Sequence, residues 1–208
     1  MEEQQENSEN KKKIIVIGEF IKKLFPAFTP NDEIVQVWKN ERVDFDQIDL
    51  EQIDLVIVFG YGFKVEKKHL DQTNFINLHG SYLPFGKGPH PHIWGWIKND
   101  PFGVTIHKMS PGMDEGDIIF RRKLNLNPQE HSIQSTLDIL VDSLVELFIE
   151  KWLLLRDRDY IASPQLHCGS AHCLKDSSII QDIIDKHRNS PIPIFLKEAE
   201  ERLKQNDV

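Results

Sequence analysis

The chain is poor in cysteine, with only Cys168 and Cys173 in 208 residues. A disulfide framework is therefore excluded as the source of stability, and two free thiols fit a reducing, cytoplasmic setting. Flanking His167 and His172 approach the composition of a zinc site. Their spacing is too tight for the usual layouts, and no distant Cys/His pair completes a ligand set, so no metal is expected. A long uncharged apolar run is also missing. Leu137 to Leu155 is broken by Asp138, Asp142, Glu146, Glu150 and Lys151, which reads as a helix with a polar stripe and not a membrane span. Positive charge is in deficit, 25 Lys and Arg against 33 Asp and Glu for a formal net charge of −8. Nucleic acid as the main partner is disfavoured, because phosphate binding needs a basic face. Finally, the first apolar run ends in Gly18-Glu19-Phe20, where a dinucleotide fingerprint would need G-x-G-x-x-G. That argues against nicotinamide and flavin chemistry.

What is present is the pattern of an α/β domain. Ile14 to Ile17, Ile34 to Trp38, Leu55 to Phe59 and Phe75 to Leu78 are short apolar runs suited to buried parallel strands. Helical or turn segments fall between them, at Asp44 to Gln52 and Glu66 to Leu70. Val104 to Met109 and Ile118 to Leu124 read as a further strand pair. Ser132 to Leu155 is the clearest helix, with Ile133, Leu137, Leu140, Val141, Leu144, Leu147 and Phe148 on one stripe. The division is a solvated, disordered tail over 1–12, one Rossmann-like, largely parallel domain over 13–155, and an extension over 156–208. In the extension, His167 to Asp176 reads as a loop or hairpin and Pro193 to Gln205 as a short helix.

Three polar residues sit where a reaction could run. Asn77 and His79 lie two apart at a strand end and so share one face. Asp114 follows the next strand in a loop punctuated by Ser110-Pro111-Gly112 and Gly116, from which a carboxylate can swing toward that face. An amide, an imidazole and a carboxylate so placed suit acyl transfer. The ordinary pKa of an imidazole suits proton traffic at neutral pH.

The run Asn77-Leu78-His79-Gly80-Ser81-Tyr82-Leu83-Pro84, then Gly103-Val104-Thr105-Ile106-His107, then Asp114 within Met113-Asp114-Glu115-Gly116-Asp117 resembles the signature of the folate-dependent formyltransferases. The likeness is strong over 54–124 and loose over 13–53. It implies the formyltransferase fold, N10-formyltetrahydrofolate as formyl donor, and Asn77, His79 and Asp114 as the catalytic set. It further implies a pterin-gripping loop at Tyr61, Phe63 and Val65, with His107 lining the site. Among the family's branches the chain looks most like the sugar N-formyltransferases. Those act on nucleotide-linked amino-dideoxy sugars, here with dTDP expected, for surface polysaccharides such as lipopolysaccharide O-antigen. Lys87 and Tyr82 are the expected substrate contacts, Lys87 as a point charge for phosphate. The purine branch's G-x-G-S-N loop is missing, and 208 residues leave no room for a separate tRNA-recognising domain. A methionyl-tRNA formyltransferase-like enzyme and an inactive folate- or nucleotide-binding module stay open as alternatives. Cys168 to Asp176 and the last helix offer a contact for a homodimer.

Overall fold

The computed structural model describes residues 11–39, 41–166 and 169–206. Six strands form one sheet: β1 (Lys12–Ile17), β2 (Asp32–Trp38), β3 (Leu55–Phe59), β4 (Phe75–His79), β5 (Gly103–Lys108) and β6 (Ile118–Lys123). Their spatial order is β2-β1-β3-β4-β5-β6. The first four strands pair in parallel, while β4–β5 and β5–β6 are antiparallel. The expected α/β sheet is therefore present, with an antiparallel edge. β3 is buried at every position because both faces are covered, which is why it reads as an unbroken apolar run. β1 begins at Lys12, one residue before the expected domain start, where Lys13 N donates to Asp54 Oδ2 at 2.9 Å. Of the expected tail, residues 1–10 lie outside the described residues.

One face of the sheet is covered by a long helix, α3 (Ile133–Asp157). Its stripe of Leu140, Val141, Leu144, Leu147 and Phe148 packs in one cluster with Ile57, Ile76, Leu78, Val104 and Ile106. A reciprocal cap starts it: Ser135 N donates to Ser132 Oγ at 3.1 Å and Ser132 N to Ser135 Oγ at 2.9 Å, satisfying amides that a helix start leaves free. On the other face, Ile15, Ile17, Val56, Val58 and Phe75 pack under Val43, Phe45, Leu50 and Val65. The expected helix or turn at 44–52 is two single 3-10 turns, Phe45–Gln47 and Leu50–Gln52, and α1 (Lys67–Leu70) is one turn of α-helix.

A helix that the sequence reading did not assign, α2 (Pro91–Lys98), starts at Pro91, where the missing N–H costs nothing. It buries Trp94 and Trp96, whose indole N–H groups donate to Ser177 and Thr136 hydroxyls, both at 3.0 Å. The extension holds three helices where a loop or hairpin and one short helix were expected: α4 (Leu174–Ser178), α5 (Gln181–His187) and α6 (Ile192–Gln205). α5 and α6 pack Ile183, Ile184, Ile192 and Phe195 against Ile93, Trp94 and Trp96 of α2 in a third apolar cluster. The extension is thus fastened to the domain through α2. Among the described residues, no helix is long and apolar enough to cross a membrane.

Candidate active site

Along β4 the side chains alternate. Ile76 and Leu78 join the α3 cluster, while Phe75 packs on the opposite face and Asn77 and His79 share that face with it. In β5, His107 pairs with Asn77 and Thr105 with His79, so the same face also receives an imidazole and a hydroxyl. β5 runs antiparallel to β4, so it ends beside Phe75, where Met109 N donates to Phe75 O at 2.9 Å. The loop after it must turn back along the sheet face to bring Asp114 to His79. Gly116 permits this turn, because a Cβ there would meet the Lys108 carbonyl.

Asp114 lies at the centre. Asn77 Nδ2 donates to Asp114 Oδ1 at 3.2 Å and also approaches His107 Nε2 at 3.2 Å. His79 Nδ1 stands 3.7 Å and His107 Nε2 3.4 Å from the same carboxylate oxygen. The second oxygen, Oδ2, accepts from Gly88 N at 2.8 Å. Burial by itself raises the pKa of this carboxyl. The charge of His79, the hydrogen bond and charge of His107 and the Gly88 amide outweigh burial and hold it well below the ordinary range. Asp114 is therefore a carboxylate throughout the neutral range.

The histidines have assigned roles at their outer nitrogens. His79 Nε2 lies 2.8 Å from the Gly86 carbonyl, which can only accept, so Nε2 carries a hydrogen and Nδ1 is the atom turned to Asp114. His107 Nδ1 donates to the Lys108 carbonyl at 2.7 Å, which leaves Nε2 turned to Asn77 and Asp114. The two rings stand edge to face with centroids 6.2 Å apart. His79 and His107 are both buried.

The loop 80–88 that supplies these partners is itself fixed by buried groups. Thr105 Oγ1 donates to Ser81 O at 2.7 Å and accepts from Leu83 N at 3.1 Å. Gly88, at φ 97°, admits no Cβ because the His172 carbonyl occupies that space. From the extension, Ser170 Oγ accepts from Gly86 N at 2.7 Å and donates to Asp100. Ser170 O accepts from Lys87 N at 2.9 Å, and His172 N donates to Lys87 O at 3.0 Å. Reading the sequence missed Thr105, Gly86, Gly88 and Ser170. The signal was there in the Gly86-x-Gly88 spacing, which marks backbone that must be approached closely.

The other expected site residues are placed differently. Tyr61 and Phe63 form a ring pair 5.3 Å apart beyond β3, with Tyr61 Oη accepting from Val43 N at 3.0 Å. Phe63 is exposed and Val65 buried in the core, so only the backbone of Val65 is free to meet a ligand. The backbone N–H and C=O groups of residues 62–65 make no hydrogen bond among the described residues, which suits the amide-like edge of a pterin. Lys87 is half-buried, and its ammonium has no ion pair among the described residues. Tyr82 is not brought into the Asp114 cluster; its ring lies under the Arg121 guanidinium at 4.5 Å and packs on Gly103. Of the cysteines and histidines read as metal candidates, Cys173 is exposed at the start of α4. His167 and Cys168 fall outside the described residues.

A family model described as formyl transferase matches residues 8–148. Among curated proteins, the methionyl-tRNA formyltransferase of Leptospira interrogans is 28% identical over 168 residues, 77% of this chain and 52% of that protein. The dTDP-4-amino-4,6-dideoxyglucose formyltransferase of Mycobacterium bovis is 28% identical over 127 residues, 61% of this chain and 54% of that protein. The chain thus spans about half the length of these curated relatives. Among solved structures, the formyltransferase PseJ of Anoxybacillus kamchatkensis, in complex with UDP-4,6-dideoxy-4-formamido-L-AltNAc and tetrahydrofolate, superposes with a TM-score of 0.77 at 28% identity. That match covers 88% of this chain and 97% of PseJ.

Proposed function

The chain belongs to the formyl transferase family, and from that premise we propose that it transfers a formyl group from N10-formyltetrahydrofolate to the primary amine of a nucleotide-linked amino-dideoxy sugar. The observation that carries the reading is the convergence of Asn77, His79 and His107 on the buried carboxylate of Asp114. Bound folate supplies a formyl carbon already joined to a nitrogen leaving group. Transfer breaks that carbon–nitrogen bond, forms a new one to the amine, and moves one proton from the amine to the departing nitrogen.

Each residue has a task in that balance. The Asn77 amide has two hydrogens; one, on Asp114, fixes the side chain. The other, on the side of His107, is the donor offered to the oxyanion, where one donor is typically worth about 3 kcal/mol of barrier. His79, anchored at Nε2 by Gly86, takes the amine's proton at Nδ1 and returns it to the leaving nitrogen. Asp114 offsets the imidazolium formed in between. No covalent enzyme intermediate is required, and the Ser81 hydroxyl, two residues on, has no hydrogen-bond partner among the described residues to activate it. The free backbone of 62–65 grips the pterin, with Tyr61 and Phe63 at its edge.

Support for a sugar-nucleotide acceptor comes from PseJ, matched over nearly its whole length, against tRNA-acting relatives matched over about half. The formal charge of −8 also disfavours tRNA. A diphosphate is common to dTDP- and UDP-sugars, and Lys87, without an ion pair among the described residues, is its contact. Most ground-state affinity should lie in that nucleotide part, because remote binding energy positions the reacting amine. The product, a formamido sugar nucleotide, suits surface-polysaccharide assembly. Calorimetric titration with uridine and thymidine diphosphates tests the acceptor. Heat from one of them, with competition against the amino-sugar substrate, is the expected result. Silence from both, with binding of initiator aminoacyl-tRNA, would replace the sugar reading and leave formyl transfer standing.

A further inference from the structure

Gln165 lies in the extension, beyond the residues that the family model matches, yet its side chain reaches 51 positions back to the loop carrying Asp114. Gln165 Nε2 donates to Asp114 O at 2.7 Å and to Gly116 O at 2.8 Å, which uses both of its hydrogens. The loop has little else to define it. Among the described residues, no backbone–backbone hydrogen bond involves Ser110 to Gly116; within the loop, Ser110 Oγ donates to Gly112 O at 3.3 Å. Asp114 itself sits at φ 52°, a left-handed conformation that is sparsely populated for a residue with a Cβ and persists only where neighbours impose it.

Gln165 is in turn held from the sheet side. Two residues before it, Ser163 exchanges both backbone hydrogen bonds with Ile118, each 2.9 Å. The amide therefore reaches the loop from a segment fixed to the first residue of β6.

We propose that Gln165 is a positioning residue for Asp114, setting the left-handed turn that aims the carboxylate at Asn77, His79 and Gly88. The proposal rests on the reading that Asp114 takes part in formyl transfer. Without the Gln165 amide the two carbonyls lose their donor, the turn relaxes, and the carboxylate leaves its place. Misplacement by about 1 Å is enough to cost on the order of a hundredfold in rate.

Gln165→Glu keeps the shape but presents acceptors to two carbonyls, and Gln165→Ala removes the group. For both variants we expect kcat to fall about ten- to a hundredfold, with KM for either substrate within about twofold. Melting temperatures should stay within a few degrees of the parent. Amide exchange at Gly88, whose N–H is bonded to Asp114 Oδ2, should quicken, while the core amide of Val56, bonded to Asn74 O, should not change. Unaltered kcat in Gln165→Glu, or unaltered exchange at Gly88, would overturn the proposal, as would a loss confined to stability or KM. The exchange measurement needs no substrate. A parent protein that transfers no formyl group would therefore refute the formyl-transfer reading, and Gly88 would still decide whether Gln165 sets the carboxylate.

Discussion

Asp32 and Asp114 are both carboxylates taken largely out of water, and their partners differ in kind. Asp32, at the start of β2, accepts from Arg156 Nε at 2.6 Å, Trp152 Nε1 at 3.0 Å, and Thr29 N and Oγ1 at 2.7 and 2.9 Å. A guanidinium does not give up its proton near neutral pH, so this corner fastens the end of α3 to the sheet edge. Asp114 faces two imidazoles and an amide that can move protons or turn. Both carboxyls are shifted downward. For Asp32 burial opposes the shift, and the Thr29 amide and the Arg156, Thr29 and Trp152 side chains together outweigh it. The same direction of shift therefore accompanies a clasp in one place and the proposed reaction site in the other. What separates them is whether the counter-charge is permanent.

The sharpest way to break this comparison is to neutralise each carboxylate in turn. Asp114→Asn, which tolerates the left-handed backbone, should lower kcat by about a thousandfold or more while the protein keeps its fold. Asn77→Ala and His79→Ala should fall comparably. The triple variant should be little worse than the worst single one, because all three act on one transition state. Additive losses would mean the cluster is not one unit.

Asp32→Ala should do the reverse. It removes the acceptor of Trp152 Nε1 and Thr29 and one of the two carboxylates on Arg156, with Asp157 remaining at 2.6 Å, a change that should cost about 1–3 kcal/mol, read by denaturant titration. Activity per folded molecule should be unchanged. A catalytic defect there would erase the distinction drawn between the two sites.

A smaller effect should appear in the pH dependence of stability. Both folded pKa values are lowered. Each group therefore contributes stability that is present above the unfolded carboxyl value of about 3.9 and lost as pH falls through the folded value. Melting temperatures followed from neutral pH into acid should fall less steeply for Asp32→Asn than for the parent. Smallest of all, Lys87→Ala should raise the acceptor's KM by roughly tenfold, the worth of one charge-assisted contact, with kcat kept. An equal loss in kcat would move Lys87 from binding to chemistry.

Much of this architecture was legible in the residue order. β1, β3 and β4 are apolar runs because they are buried on both faces, and α3 shows its stripe because only one side is covered. Asn77 and His79 could be paired from their spacing alone. α2 was hidden because Pro91, His92 and Gly95 look like loop residues, and its helical character comes from burying Trp94 and Trp96 against α5 and α6. Tyr82 was read toward the substrate from its place in the motif, whereas its ring lies under Arg121, a partner from a strand almost forty positions on. Gln165 was invisible for a physical reason: its partners are backbone carbonyls, which carry no signature in the side-chain sequence.

The most direct test of the central claim follows both products at once. The protein is incubated with N10-formyltetrahydrofolate and a UDP- or dTDP-linked amino-dideoxy sugar. Free tetrahydrofolate is read by absorbance and the sugar nucleotide by mass. The account predicts one formyl group gained by the sugar amine for each folate released, with both signals abolished in Asp114→Asn. Folate released with the amine untouched, or equal turnover by Asp114→Asn, would contradict it.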